Sequence, residues 1–333
     1  MLRPALATFL LASAVPAQSA PAPRSFLPDD YRNVVFVDLA ALRARGIWDD
    51  LEVSVLKLVF QQLQKELGFP LSSLDRITMV AQVGREEGMA GKVQEVRVLE
   101  GNAPLAQPES LTQGSWTEDT VGVHAVRRRR SGSETFVQPQ PGLQVFGSTS
   151  LVQPVLEGKP HGGTPCPDVL SLLSGRSDGL AWFVLDVGNP TIRRGAFDRL
   201  FPEVAWPEGD EPQFVSVRLL ATGDPEDPHL GIEAVVRHVQ AGAGLETSAT
   251  AVGALLEQLR QDPKMRTARP LLQRVEIRRD RCDLVAAVDL GRVRDAVGHV
   301  ATLAMPLFAP LQVEQVVEAE PAAAPPPPKK QAP

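Results

Sequence analysis

An α+β protein, built of two pseudo-symmetric repeats of antiparallel sheet with helices packed on one face, is what this sequence predicts, and three observations carry the prediction. The first is the stretch 33–67, which reads as a buried strand over 34–37, an acidic cap at Asp38, a short helical turn and a long amphipathic helix. In that helix Val55, Leu56, Val59, Phe60, Leu63 and Leu67 recur at helical spacing, while Lys57, Gln61, Gln64 and Lys65 take the other side. The second is an echo of the strand-to-helix junction. Val37-Asp38-Leu39-Ala40-Ala41-Leu42-Arg43 is answered by Val288-Asp289-Leu290-Gly291-Arg292-Val293-Arg294, and more loosely by Phe183-Val184-Leu185-Asp186-Val187. The third is alternation: both halves hold strands in which every second residue is apolar, the pattern of antiparallel sheet with one face buried.

In chain order, residues 21–30 are a Pro-rich lead-in to the organising strand and helix. Gly68-Phe69-Pro70 stops that helix. Ser72-Ser73-Leu74-Asp75 supplies turn and cap chemistry before a strand with Ile77, Met79, Ala81 and Val83 in alternation. An exposed hairpin tip over 84–91 returns the chain as a strand over 93–99. A Pro- and Gln-rich loop over 101–114 precedes strands over 121–126, 134–137 and 143–146. The last feeds a Ser-rich turn and a short helix over 151–156, and a helical turn over 168–173 closes the first half.

The second half restarts with a strand over 180–187, which leads through Asn189-Pro190 into a helix near 191–200. Beyond a Pro-rich acidic loop, one strand alternates Val215, Val217, Leu219 and Ala221, and the next sets Leu230, Ile232, Ala234 and Val236 on one face. The run 222–228 between them is a turn. A helix carrying Val252, Leu255, Leu256 and Leu259 ends at Asp262-Pro263. A hairpin over 275–279 and 284–288 turns at Asp280-Arg281, and a final helix aligns Val293, Val297, Val300 and Ala304. The domain plan is therefore a signal peptide over 1–20, the lead-in over 21–30, repeats over 31–175 and 179–310, and a disordered Pro/Ala-rich tail over 314–333.

The ends and the composition narrow the setting. Arg3, an apolar run over 5–15 and small residues at Ala12, Ala14, Ser19 and Ala20 make a cleaved secretory signal, so the chain is expected in the periplasm or outside the cell. No later stretch approaches the roughly 20 apolar residues of a membrane span. The 333 residues carry 34 Lys+Arg against 40 Asp+Glu, a net charge of -6, which argues against nucleic acid as a partner. Aromatic residues make up only 5%, which weakens stacking-based recognition of sugars and single strands.

Candidate chemistry is sparse. Cys166 and Cys282 are an even pair in an exported chain and form a candidate disulfide between the halves, with two unrelated buried thiols as the alternative. Asp38 and Asp289 stand at matching points of the echo, but neither is followed by the Ser/Thr-Gly of aspartic proteases, and helix capping is the expected role of each. Ser54-Val55-Leu56-Lys57 matches S-x-x-K without its partner motifs. Ser148, in Gly147-Ser148-Thr149-Ser150-Leu151, has the strand-turn-helix setting of a nucleophile elbow but lacks the second Gly, and a Ser-rich helix cap accounts for it. His161-Gly162-Gly163 faintly resembles an oxyanion loop. His124, His161, His229, His238 and His299 show no metal-ligand spacing. The run of arginines over 127–130 reads as a solvated hairpin end.

These observations assign no catalytic residue, no metal and no cofactor. They point to a non-catalytic interaction or scaffold module of the bacterial envelope, whose partner is another envelope protein. The alternative is a periplasmic carrier of a lipid or other apolar ligand, with Leu56, Val59, Phe60 and Leu63 lining its site. A serine hydrolase stands third.

Overall fold

The computed structural model describes residues 22–49, 64, 70–83, 93–102, 115–173, 179–224, 227–293, 295 and 296. Its strands are β1 (Asn33–Asp38), β2 (Leu74–Val83), β3 (Val93–Gly101), β4 (Trp116–Val121), β5 (His124–Arg129), β6 (Glu134–Gln140), β7 (Leu143–Ser148), β8 (Gly179–Asp186), β9 (Phe214–Asp224), β10 (Asp227–Arg237), β11 (Glu276–Asp280) and β12 (Asp283–Arg292). They form one twelve-stranded sheet in the order β11-β12-β10-β9-β8-β1-β2-β3-β7-β6-β5-β4. Every neighbouring pair is antiparallel. The two halves of the chain meet where β1 pairs with β8, which sets Val34 opposite Val184 and Phe36 opposite Trp182.

The helices are α1 (Leu39–Ala44), α2 (Thr149–Leu156), α3 (Pro167–Leu173), α4 (Ala243–Gln261) and α5 (Arg269–Gln273). A further helical stretch runs Pro190–Ile192, a π turn Arg193–Phe197 and Asp198–Leu200. Helices cover both faces of the sheet, not one. Successive strand residues point to opposite faces, and here both sets are apolar: Val145 and Phe146 of β7, Val235 and Val236 of β10, and Leu284 and Val285 of β12 each divide between different core clusters. On one face Val34, Val80, Val145 and Val184 pack with α2 and α3. On the other, α1 contributes Leu39 and Leu42 and α5 contributes Leu271, while Leu245 of α4 packs with Leu284. A sheet buried on both sides must break strict alternation.

Local chemistry explains most boundaries. Asp38 caps α1 by accepting a hydrogen bond from the Ala41 N–H at 2.8 Å. Asn189 caps the stretch that starts at Pro190 through the Thr191 N–H, at 3.0 Å, and Asp262 ends α4 ahead of Pro263. Two expectations are corrected. The run 121–126 is not one strand: Val121 ends β4, Gly122 turns at φ 59, Val123 is 79% exposed and β5 begins at His124. Gly at the first position of a two-residue loop is what such a hairpin requires. The turn expected over 222–228 shrinks because β9 runs on to Asp224 and β10 starts at Asp227. Within the lead-in expected over 21–30, Phe26 and Leu27 enter the core shared with α2 and α3, and Tyr31 just after it does the same. The long amphipathic helix over 50–69 lies outside the described residues except for Gln64.

Candidate functional site

On the face that carries α2 and α3, cover is uneven. Residues 22–31, α2 and α3 pack over the first-half strands, and beyond α3 the surface of β9, β10, β12 and β11 opens into a groove of about 890 Å3. Two sheet arginines hold α3 at its rim. Arg218 of β9 donates from Nη1 to the Leu172 carbonyl at 3.0 Å, and Arg237 of β10 donates from Nη1 to the Asp168 carbonyl at 3.0 Å. The first of these serves a carbonyl in the last turn of α3, where the helix itself supplies no partner.

The floor is a set of paired charges. Arg218 and Glu233 stand directly opposite across β9 and β10, and Arg218 Nη2 bonds Glu233 Oε1. Arg278 of β11 approaches the same carboxylate, with Nη2 3.3 Å from Oε2. Arg237 grips Asp283 with two bonds, Nε to Oδ1 at 2.8 Å and Nη2 to Oδ2 at 2.7 Å. That hydrogen-bonded carboxylate raises the Arg237 pKa against the lowering effect of burial. At the far end Arg32 lies 5.8 Å over the Phe214 ring. Two buried polar atoms under this floor, Arg218 Nε and Ser216 Oγ, have no hydrogen-bond partner among the described residues.

A second, apolar depression of about 460 Å3 opens on the same face, over Phe36, Trp182, Val98 and Leu173, with Arg24 and Arg76 among its walls. Phe36 and Trp182 pack ring to ring at 4.7 Å across the junction of the halves, and Arg76 lies 5.8 Å over Phe36.

One buried polar network joins three elements. His238, just past β10, faces the Asp210 carbonyl from Nδ1 at 3.0 Å and Ser248 Oγ of α4 from Nε2 at 2.8 Å. A carbonyl only accepts, so Nδ1 carries the proton and Nε2 accepts from the Ser248 hydroxyl. Asp210 Oδ2 meanwhile accepts from the Gly244 N–H at 2.7 Å, at the start of α4. With Ser248 only 1% exposed, these groups bracket α4 to the loop before β9 rather than present a nucleophile.

Burial holds the His238 pKa below its usual 6.5, outweighing the opposing effect of Asp210. The unfolded chain therefore binds the proton more readily than the folded one. The resulting stability is complete above about pH 6.5 and is lost as pH falls from there towards the folded pKa. Urea unfolding at pH 7.5 and pH 5.5 is expected to show this loss in the native chain and a smaller one in His238→Gln. An equal loss in both would assign the acid sensitivity to other groups.

The residues singled out by sequence scatter. Asp38 closes β1 in the middle of the sheet, whereas Asp289 lies on β12, with β10, β9 and β8 in between, so they form no carboxylate pair. Asp289 caps no helix: β12 runs through it to Arg292, and its Oδ1 accepts from the Gly291 N–H at 2.7 Å where Gly291 takes φ 86. Ser148 does not cap α2 with its side chain either; its Oγ accepts from the Glu95 N–H at 3.0 Å and ties α2 to β3. His161 Nε2 donates to the Leu151 carbonyl at 2.9 Å, so it does not serve Ser148. The arginine run is spread along β5 and paired, Arg128 with Asp119 at 3.0 Å and Arg129 with Glu134 at 2.9 Å.

Cys166 is buried beside Tyr31 and Cys282 is half-buried in the β11–β12 turn; both are free thiols. Ser54, Leu56, Val59, Phe60, Leu63 and His299 lie outside the described residues. Sequence reasoning missed Arg218, Glu233, Arg278, Arg237, Asp283 and the Asp210–His238–Ser248 network. No sequence signal marked them: Arg218 and Glu233 fall opposite the apolar positions of β9 and β10, where alternation alone reads a solvent-facing side.

Among the described residues no group of His, Cys, Asp and Glu could hold a metal ion, and no helix is long and apolar enough to cross a membrane. No known protein family matches the chain, and no curated protein matches it. Among solved structures it is similar to one described as "Structure of crystal form I of TP0453", at a TM-score of 0.44 and 8% identity, over 86% of this chain and 98% of that one.

Proposed function

We propose that this chain is a non-catalytic interaction module of the bacterial envelope, exported by a signal peptide over 1–20, that docks a partner protein in the groove beside α3. The observation that carries the reading is the groove itself, an open trough of about 890 Å3 whose floor is a lattice of charge pairs. Fixed charges of both signs set orientation and partner choice more than raw affinity, as a docking surface needs. The repeat architecture belongs to the same proposal. Outward from the β1–β8 junction the order β1-β2-β3-β7-β6 is matched by β8-β9-β10-β12-β11, which supports two related halves. On that correspondence the counterpart of Asp38, at the end of β1, is Asp186 at the end of β8, and Asp289 is a chance echo.

The test is quantitative affinity capture from envelope extract with the native chain and with Ser171→Trp. Ser171 is exposed on α3 and lines the groove, so an indole there fills the trough without entering the core. A partner recovered by the native chain and depleted by the variant is the expected result. Equal recovery by both would end the groove reading.

A carrier of a lipid or other apolar ligand is the second reading, supported by the apolar depression over Phe36 and Trp182. Native mass spectrometry of protein taken from its own envelope separates the two. A bound mass that leaves on denaturation and extracts as lipid supports the carrier, and empty protein removes it.

A further inference from the structure

We propose that the two end strands of the sheet, β4 and β11, pair with each other between copies of this chain and join them head-to-tail into an open series. Among the described residues β5 is the one strand partner of β4, and β12 is that of β11. Thr117, Glu118, Asp119 and Thr120 of β4 are exposed, as are all five residues of β11. Neither strand carries a proline, a lysine or a break in register, devices that close an edge against a further strand. The contact uses the sheet edges and leaves the groove floor free, so it is separate from the docking reading.

Strand direction and backbone bonding permit the joint. All neighbours in the twelve-stranded sheet are antiparallel, so its end strands run in opposite directions. A copy carried along the sheet with the same face up therefore presents β11 antiparallel to β4. The Arg130 N–H bonds the Ser115 carbonyl, which commits the odd-numbered residues of β4 to β5 and leaves Trp116, Glu118 and Thr120 bonding outward. The His238 N–H bonds the Cys282 carbonyl, so Leu284 and Ala286 of β12 serve β10, while Asp283, Val285 and Ala287 serve β11. Their partners Asp280, Arg278 and Glu276 spend their backbone groups on β12, which leaves Ile277 and Arg279 bonding outward.

Charge then selects the partner. Setting Glu118 opposite Arg279 and Thr120 opposite Ile277 matches outward-bonding residues with each other and places Asp119 opposite Arg278. The faces agree. Val121, two residues from Asp119, packs in the cluster of α2 and α3, the face on which Arg278 reaches Glu233. Arg279 lies on the other face, where it bonds Glu246 of α4. Each acid of β4 would stand between two arginines, Glu118 between Arg127 and Arg279, and Asp119 between Arg128 and Arg278. Glu276 and Asp280 would fall opposite the uncharged Val121 and Thr117. An edge laid against its own copy matches less well. At the fullest overlap that joins bonding groups, two β4 strands set Glu118 or Asp119 opposite itself, and two β11 strands set Arg278 opposite itself.

Sedimentation equilibrium of the purified full chain, over a series of concentrations, reads the weight-average mass. The native chain is expected to gain mass continuously, because a heterologous contact leaves a free β4 and a free β11 at the ends of every assembly. Glu118→Arg and Arg279→Glu, both at exposed positions, are expected to keep the native melting temperature. Each is expected to need roughly tenfold higher concentration for the same mass, because an attractive cross-strand pair becomes a repulsive one. An equal mixture of the two variants is expected to return to the native curve, since each reversed edge then meets the oppositely reversed edge of a neighbour. A native chain that stays monomeric, or a mass that stops at the dimer, overturns the proposal without any variant. A folded variant that associates as the native chain does, or a mixture that fails to recover, overturns it as well. Ser171→Trp is expected to associate normally, so loss of partner capture and loss of self-association are read independently.

Discussion

Arg218→Met is expected to destabilise the protein by about 3 kcal/mol, near the low end for removing one partner of a buried ion pair. The Arg218 and Glu233 side chains are only 10% and 3% exposed, so the deletion strands a carboxylate where water cannot solvate it. Arg278, 3.3 Å from the other oxygen, offsets part of the cost, which is why the low end applies. The Leu172 carbonyl also loses its donor and α3 its anchor at the groove rim. The double variant Arg218→Met, Glu233→Met is expected to return to within about 1 kcal/mol of the native chain, because two apolar side chains of similar volume replace a desolvated pair. Urea midpoints at constant slope measure both. If the double variant is as unstable as the single one, desolvation of Glu233 is not the cause and the packing of α3 is.

Phe26→Ala is expected to cost about 3–5 kcal/mol, the range for truncating a buried aromatic side chain. Phe26 is 0% exposed and shares its cluster with Leu27, Val80, Val152 and Val169, under the roof formed by α2 and α3. Asp29 strengthens the same connection by accepting from the Gly162 N–H at 3.1 Å. Leu200→Ala, at a position 58% exposed, is the matched control and should change stability by less than about 0.5 kcal/mol. A Phe26→Ala effect no larger than the control's would mean that residues 22–31 lie on the core without contributing to it. Together Arg218→Met and Phe26→Ala probe the open and the covered halves of one sheet face.

Much of the secondary structure was legible because local signals carried it. Alternation marked β2, β9 and β10, a hairpin tip marked β3, Asp38 announced the start of α1, and Pro263 the end of α4. Where local signals misled, a competing interaction is visible. Ser148 looks like a cap by its place before α2, yet the Glu95 N–H captured its hydroxyl. Asp289 looks like Asp38 by its neighbours, yet β12 continues through it because β10 pairs along its length. Phe26 sits in Pro-rich sequence that suggests a linker, and only the arrival of α2 and α3, more than 120 residues later, makes it core.

The candidate groove was not legible. Its members come from β9, β10, β11, β12 and α3, and no spacing in the chain relates Arg218 to Arg278 or Arg237 to Asp283. Their meeting depends on strand register, which is settled by pairing across the whole sheet. The Asp210–His238–Ser248 network has the same origin, since a loop, a strand end and a helix supply one residue each.

The sequence by itself determined an antiparallel α+β protein, the positions of most strands and helices, and a net charge unsuited to nucleic acid, because backbone propensity, side-chain period and composition are local or additive properties. Tertiary structure alone decided that the two halves share one sheet through β1 and β8, that helices cover both faces, and that charge gathers in a groove beside α3. Those outcomes rest on contacts between residues far apart in the chain, such as Val34 with Val184, whose energies exist only once the strands have been brought together.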